Sequence, residues 1–393
     1  MALMAGRVLA GVVSLAVIIG ALVGIILIRS GSPGSYPYQM GRPPAHSTAS
    51  AEPAPGAGEG KGSKTRATVY LYYYLWWTAG HWRAKLGPAY PLGASPPPLP
   101  GRTNAAGCDP VATFPDATVV DLPSQGLYNQ SDPSTFRPQI AAAEAAGVTG
   151  FLVSWQGTGT ATQSATSSGY DQRLRLLVRA VDQYNRQHPT QPFHLGLALS
   201  AFGDYSRPAS QIVSDLSYFT TTYGRDPAFQ NQYSRKPIVI LMDSRKFPQA
   251  TVARVWASQH TRAYLVGDET AASWPRDAPY LDATSYYWSS ENPVTNRAAG
   301  GDVRQLAQEV HAAGKLWFAP FIPGYDDQLV GGNCVPRNGL QTLRSVWQLN
   351  AASHPDAWFG ISWNEFVENT YLEPSQAYGS TYLDELHQLI LGG

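Results

Sequence analysis

Charged residues are scarce in this chain, and their scarcity excludes some classes of function. Asp, Glu, Lys and Arg make up only 14% of the 393 residues, against roughly a quarter in average soluble proteins. The 28 basic and 28 acidic residues give a formal net charge of +0. Proteins that bind nucleic acid usually carry a basic excess. We therefore expect no nucleic-acid partner.

The chain also lacks the residue spacings that mark several kinds of catalytic centre. Its histidines form neither His-x-His nor His-Glu-x-x-His, so no metal site is expected. No Gly-x-Ser-x-Gly elbow occurs, and the Gly-Thr-Gly at residues 157–159 lacks the third glycine of a dinucleotide-binding loop. We expect no cofactor, and carboxylate chemistry is what remains.

Cysteine is nearly absent. Cys108 and Cys334 are the two in the chain, and both lie in loop-like sequence. In an oxidising compartment they could form one disulfide, whereas two buried free thiols are the alternative. The sequence leaves this choice open.

One long apolar run stands near the start of the chain. Residues 8–28 are all apolar or small, with Arg7 and Arg29 on either side. This length is enough to cross roughly 30 Å of hydrocarbon as a helix. We predict an uncleaved signal anchor over residues 1–29 that places the rest of the chain outside the cell membrane. A cleaved signal peptide, giving a secreted protein, is the alternative.

The next segment has the composition of a tether. Residues 30–66 are rich in Pro, Gly, Ala and Ser and have no periodic apolar face. We predict a flexible linker there, followed by one folded domain over residues 67–393, which we expect to be a monomer.

Within that domain, short apolar runs alternate with amphipathic helical stretches, an α/β pattern. Eight strands are predicted, at residues 68–75, 148–155, 193–201, 237–242, 263–267, 281–287, 316–321 and 358–363. Helices are predicted between them, for example at residues 170–188, 208–222, 251–258, 296–313 and 340–352. Eight such repeats favour a closed (β/α)₈ barrel of the TIM type over an open sheet.

In a barrel of this kind, the loops at the carboxyl ends of the strands build the active site. The sequence places a set of aromatic, acidic and other polar residues there. They are Trp76, Trp77, His81 and Trp82 after the first strand, Trp155 and Gln156 after the second, Asp243, Asp268 and Glu269 beyond the middle strands, and Tyr325 to Asp327 after the seventh.

Two carboxylates follow the eighth strand. Glu365 and Glu368 are three positions apart and lie beside Trp363 and Asn364. Hydrolysis of a glycosidic bond needs one carboxyl group as proton donor and another as base or nucleophile, and aromatic side chains stack on sugars. Two solvated surface glutamates are the alternative reading of this spacing.

Several ordered motifs resemble those of glycoside hydrolase family 99 and its family-99-like group. They are YYYLW at residues 72–76, VSW at 153–155, YGRDPAF at 223–229, PGYDD at 323–327, and WNEFVE at 363–368 followed by EP at 373–374. The likeness runs over residues 69–389. It implies a (β/α)₈ barrel and an endo-acting, retaining enzyme that cleaves α-mannosidic bonds.

The resemblance also implies roles for individual residues. Glu365 would act as base on the sugar's own 2-hydroxyl, and Glu368 as general acid and then base. Tyr325 would line the reacting subsite and Asn364 would orient the sugar, and we add Tyr74, Trp76, Trp77, Trp155, Gln156 and Asp327 as substrate-binding candidates.

One position departs from the family pattern. Ser200 stands at the end of the third predicted strand, where the family commonly has a substrate-binding Glu.

The sequence leaves three hypotheses about function: a membrane-tethered glycosidase acting on a polysaccharide or glycan, a sugar-binding barrel without catalysis, and a domain tied to envelope polysaccharide synthesis.

Overall fold

We describe residues 67–87, 108, 119–157, 169–200, 207–327 and 332–392 in a computed structural model. The predicted anchor and linker lie outside these residues and stay predictions. Among the described residues, none of the helices has the length and apolarity needed to span a membrane.

Eight parallel strands close into a barrel, as the sequence predicts. They are β1 (Val69–Tyr74), β2 (Gly150–Trp155), β3 (His194–Leu199), β4 (Ile238–Leu241), β5 (Tyr264–Asp268), β6 (Ala283–Ser285), β7 (Leu316–Phe321) and, after a small hairpin of strands β8 (Tyr325–Asp326) and β9 (Cys334–Val335), β10 (Ala357–Gly360). Each barrel strand pairs with its neighbour along the chain, and β10 pairs with β1 to close the ring.

Helices surround the barrel. They are α1 (Ala79–Leu86), α2 (Phe136–Ala145), α3 (Tyr170–Gln187), α4 (Ala209–Thr222), α5 (Gln249–Gln259), α6 (Trp274–Asp277), α7 (Arg297–Ala312), α8 (Gln341–Ala351) and α9 (Thr381–Gly392). Their inward faces follow helical spacing: α7, for example, buries Val303, Leu306, Ala307 and Val310. The side chain of Asn296 begins this helix by accepting a hydrogen bond from the Ala299 N–H at 3.2 Å.

The barrel strands are apolar because both of their faces are covered. All four residues of β4, Ile-Val-Ile-Leu, are buried, as expected for a parallel sheet with helices outside and a packed interior. At the closing strand, a Cβ on Gly360 would overlap the side chains of Leu71 and Phe321. A glycine there lets β1, β10 and β7 approach closely.

The structure differs from the sequence prediction at two places on the carboxyl face. Strand β6 ends at Ser285, two residues earlier than predicted, so Tyr286 and Tyr287 belong to the loop that follows it. The β8–β9 hairpin was not predicted; it pairs Tyr325 with Val335 and Asp326 with Cys334 in antiparallel register.

The hairpin is covalently fixed. Cys334 in β9 forms a disulfide with Cys108, with 6.0 Å between the two Cα atoms, within the range that a disulfide allows. The disulfide hypothesis is confirmed, and the alternative of two free thiols is wrong.

The disulfide should contribute measurably to stability, because it links residues 226 positions apart and so restricts the unfolded chain. We expect the Cys108→Ser/Cys334→Ser double variant to lose about 2 to 5 kcal/mol in urea unfolding relative to the oxidised protein. Wild-type protein unfolded under reducing conditions is the matched control and should behave like the variant. Equal stability of variant and oxidised protein would contradict the prediction.

Candidate active site

The loop that follows β10 is fastened to the first strand of the barrel. The Trp363 N–H donates to the Tyr72 carbonyl at 2.7 Å. The Asn364 side chain then makes a reciprocal pair of bonds with the Tyr74 backbone: its Oδ1 accepts from the N–H at 2.8 Å, and its Nδ2 donates to the carbonyl at 3.0 Å. The loop therefore leaves the barrel in a fixed direction.

Glu365 is deeply buried, with only 2% of its surface exposed. Its Oε1 accepts hydrogen bonds from the backbone N–H groups of Val367 at 2.9 Å and Glu368 at 3.4 Å. Burial, and secondly the charge of Glu368, raise the pKa of Glu365 well above its usual value, and the two N–H groups partly oppose this rise.

Glu368 is half-buried and lies nearer to solvent. Its Oε2 accepts a hydrogen bond from the Ser289 hydroxyl at 3.4 Å, and the Tyr287 hydroxyl also bonds to this carboxyl group. Burial, followed by the nearby Asp327 carboxylate, raises the pKa of Glu368 to about 7. A carboxyl group with that pKa can both give and take a proton near neutral pH.

The two carboxyl groups act as a coupled pair. Ionising both would place two negative charges on one short, buried loop, so we expect the pair to retain one proton near neutral pH. Such a pair can protonate one oxygen while removing a proton from another.

Aromatic side chains form a wall beside the carboxyl groups. The hydroxyl groups of Tyr74 and Tyr287 lie 2.7 Å apart, and the charges of both glutamates help to raise the pKa of each phenol after the larger effect of burial. Trp76, which is half-buried, stacks on Tyr74 with ring centres 4.5 Å apart. This wall offers an aromatic face and hydroxyl groups to a sugar.

The β8–β9 hairpin forms another side of the site. The Tyr325 hydroxyl donates to Asp327 Oδ2 at 2.6 Å. Burial, followed by the charge of Glu368, raises the pKa of the Tyr325 phenol. The hairpin therefore brings Tyr325 and Asp327 close to Glu368, and their contact with a substrate stays a prediction.

Three predicted substrate contacts need correction. Trp77 and Trp155 have no exposed surface. The Trp77 ring stacks on Trp82 at 3.9 Å, and the Trp155 ring faces Tyr218 of α4 at 6.5 Å. Their rings are thus used inside the protein and do not present a face to a sugar.

Asn364 is likewise fully buried, and its side-chain amide is hydrogen-bonded to the Tyr74 backbone. It holds the loop against β1 and presents no exposed surface to a sugar. The Trp77 indole N–H supports the same loop by donating to the Asn364 carbonyl at 2.7 Å. Gln156 lies half-buried directly after β2, and its role in substrate binding stays a prediction.

Sequence reasoning missed Tyr287 and Ser289, which both contact Glu368. A signal was available, because Tyr287 ends the sixth predicted strand and Ser289 follows it at the carboxyl face, within a cluster of aromatic residues. Their spacing after the strand does not by itself show which side chains turn toward the site.

The acids beyond the middle strands have supporting roles. Asp268 is buried and pairs with Arg245 at 2.6 Å, and it accepts the Tyr287 backbone N–H at 2.7 Å. Glu269 has no exposed surface and accepts the Ser273 hydroxyl at 2.5 Å. Among the residues that the structure describes, no group of three or more His, Cys, Asp or Glu could hold a metal ion.

Solved structures similar to this chain are glycoside hydrolases. A family 99 endo-alpha-mannosidase from Bacteroides thetaiotaomicron matches with a TM-score of 0.62 and 19% identity, over 82% of this chain and 96% of its own. Its complex with bis-tris-propane gives a TM-score of 0.61 and 18% identity, over 83% of this chain and 97% of its own. A glycoside hydrolase-like protein gives a TM-score of 0.56 and 15% identity, over 76% of this chain and 97% of its own.

These TM-scores show a shared fold. The resemblance to family 99 that the sequence motifs suggest therefore extends to the architecture of the whole barrel. No family model matches the chain, and no curated protein matches it.

The carboxylate of Asp327 should help to set the protonation of Glu368. Asp327→Asn removes a negative charge but keeps the size of the side chain, so we expect the pKa of Glu368 to fall below about 7. A ¹³C NMR titration of the glutamate carboxyl groups measures this shift. Asp384→Asn on α9, an exposed site, is the matched control. An unchanged Glu368 pKa in Asp327→Asn would contradict the prediction.

Proposed function

We propose that this protein is a glycoside hydrolase that cleaves a polysaccharide or glycan with Glu365 and Glu368. The observation that carries the proposal is the carboxyl pair itself. Two glutamates with raised pKa values lie on one loop at the carboxyl face of the barrel, beside Tyr74, Trp76 and Tyr287. The barrel shared with a family 99 endo-alpha-mannosidase supports the same reading.

The resemblance to family 99 supplies a specific mechanism. Glu365 takes the proton from the sugar's 2-hydroxyl while that oxygen attacks the anomeric carbon, and Glu368 protonates the departing oxygen. Water then opens the resulting 1,2-anhydro sugar as Glu368 accepts its proton and Glu365 returns a proton to the 2-oxygen. Two inversions at the anomeric carbon give overall retention. Substrate-assisted hydrolysis of this kind is an established exception to the two-carboxylate distance rule.

The hydrogen-bond donors around the pair support this assignment against the larger effect of burial, which raises the pKa of both glutamates and that of Glu365 well above its usual value. The backbone N–H groups of Val367 and Glu368 favour the ionised form of Glu365, which the base role requires. Glu368 has a pKa of about 7 and accepts hydrogen bonds from the hydroxyl groups of Ser289 and Tyr287, so it can carry the proton for the leaving group.

The substrate class is a further part of the proposal. An α-mannan-like glycan, cleaved within its chain, is the first candidate, because the similar enzyme is named an endo-alpha-mannosidase. Ser200 at the end of β3 is half-buried and carries no charge, so the subsite beside it should differ from that of enzymes with a Glu there. We place the domain outside the cell membrane, tethered by residues 1–29.

Release of reducing ends from α-mannans and other polysaccharides by the purified protein tests this function. Oligosaccharide products are expected from one polysaccharide class. Binding to immobilised glycans without product release would instead favour a non-catalytic sugar-binding barrel.

Substitution of each glutamate separates the two roles. Glu368→Gln should lose most turnover on natural glycans but retain more on substrates with very acidic leaving groups, which need little protonation. Glu365→Gln should lose activity on both, since no leaving group replaces the base; general acid–base groups contribute roughly 10²- to 10⁴-fold.

Glu309→Gln on helix α7, outside the site, is the matched control and should keep full activity. Near-full activity of both Glu365→Gln and Glu368→Gln would contradict the proposal and favour the alternative of two non-catalytic glutamates.

A further inference from the structure

A buried arginine lies beneath the loop that carries the glutamates. Arg337 lies two residues after the end of β9 and has only 2% of its surface exposed. Its Nη2 donates hydrogen bonds to the carbonyl oxygens of Asn369 and Tyr371, both at 2.9 Å. Asn369 comes directly after Glu368, so the guanidinium group holds the part of the loop that carries this carboxyl group.

Three aromatic rings enclose the guanidinium group of Arg337. Its central carbon lies 4.5 Å from the ring centre of Tyr371, 4.8 Å from that of Tyr378 and 4.4 Å from that of Tyr382. A buried cation is costly unless it is paired or hydrogen-bonded. Here the rings and the two carbonyl groups supply that compensation, and they restrict the orientation of the planar group.

The same junction contains bonds between the hairpin and the loop. The Asp326 N–H donates to the Glu368 carbonyl at 3.0 Å, and Asn369 Nδ2 donates to the Asp326 carbonyl at 2.6 Å. The hairpin also makes room for the arginine, since a Cβ on Gly324 would lie 2.5 Å from Arg337 Cγ. Arg337 therefore lies where hairpin and loop meet.

We propose that Arg337 is a positioning residue, which fixes the β8–β9 hairpin against the carboxylate loop and thereby holds Asp327 near Glu368. This inference rests on the proposed function, in which Glu368 donates the proton. Arg337 itself acts through the loop and hairpin, and it contacts neither reacting group in the described structure.

Several titratable or polar groups face Glu368. They are Glu365 on the same loop, Tyr325 and Asp327 on the hairpin, Tyr287 and Ser289 after β6, and Tyr74 on β1. Of these groups, Tyr325 and Asp327 belong to the hairpin that Arg337 would hold in place, and Asp327 is the one whose charge raises the pKa of Glu368.

Arg337→Lys tests the proposal, because lysine keeps the charge but cannot reproduce the planar pair of hydrogen bonds. Asp327 should then lie less closely against Glu368, so the Glu368 pKa should fall in a ¹³C NMR titration, as in Asp327→Asn. Arg337→Lys/Asp327→Asn should shift the pKa no further than Asp327→Asn alone, because both changes act through one charge.

The titration needs no activity, so it decides the inference even if the proposed hydrolysis is not found. Where hydrolysis is found, kcat of Arg337→Lys should fall roughly 10- to 100-fold with KM little changed, as expected for a misplaced catalytic group. Absence of hydrolysis by the wild-type protein would count against the proposed function alone.

Two controls separate positioning from stability. Leu386→Ala, in the buried face of α9, should destabilise the protein without moving the Glu368 pKa. If Arg337→Lys does not fold, Tyr382→Leu opens one side of the aromatic enclosure and should give the same downward shift. A Glu368 pKa that is unchanged in the folded variant, or shifts that simply add in the double variant, would overturn the proposal.

Discussion

Closure of the barrel between its first and last strands is the constraint on which the site depends. Strand β10 pairs with β1, and the chain beyond β10 continues this contact through Asn364 and Tyr74, which are 290 positions apart. The loop with Glu365 and Glu368 is therefore placed by the first strand, which also contributes Tyr74 to the aromatic wall. Fold and site are thus built by the same hydrogen bonds.

Burial raises the pKa values of the two glutamates, and hydrogen bonds from the surrounding protein partly offset the free-energy cost of burying their charges. Backbone N–H groups stabilise the charge of Glu365, and the hydroxyl groups of Ser289 and Tyr287 do so for Glu368. This difference lets two identical residues take different roles, in the way that unequal environments separate acid and base in other hydrolases. Buried positions such as Asn364 and Arg337 hold the loop so that the difference persists.

The strands and the carboxyl pair could be predicted from the sequence, and the orientation of single side chains could not. Parallel barrel strands are buried on both faces, so they appear as apolar runs, and acids after such runs must lie at one face. Trp155 ends β2 and Trp77 lies beyond the end of β1, yet both rings are fully buried, and an apolar pattern does not show which way a side chain at the end of a strand turns. The β8–β9 hairpin has strands of two residues each, too short to leave a periodic pattern.

The central claim is that one loop supplies both a base for the sugar's 2-hydroxyl and a proton donor for the leaving group. Proton NMR of the first product released from a defined glycan tests it most directly. The account predicts that the new reducing end initially has the anomeric configuration of the bond that was cleaved. Initial formation of the opposite anomer would contradict the two-step mechanism.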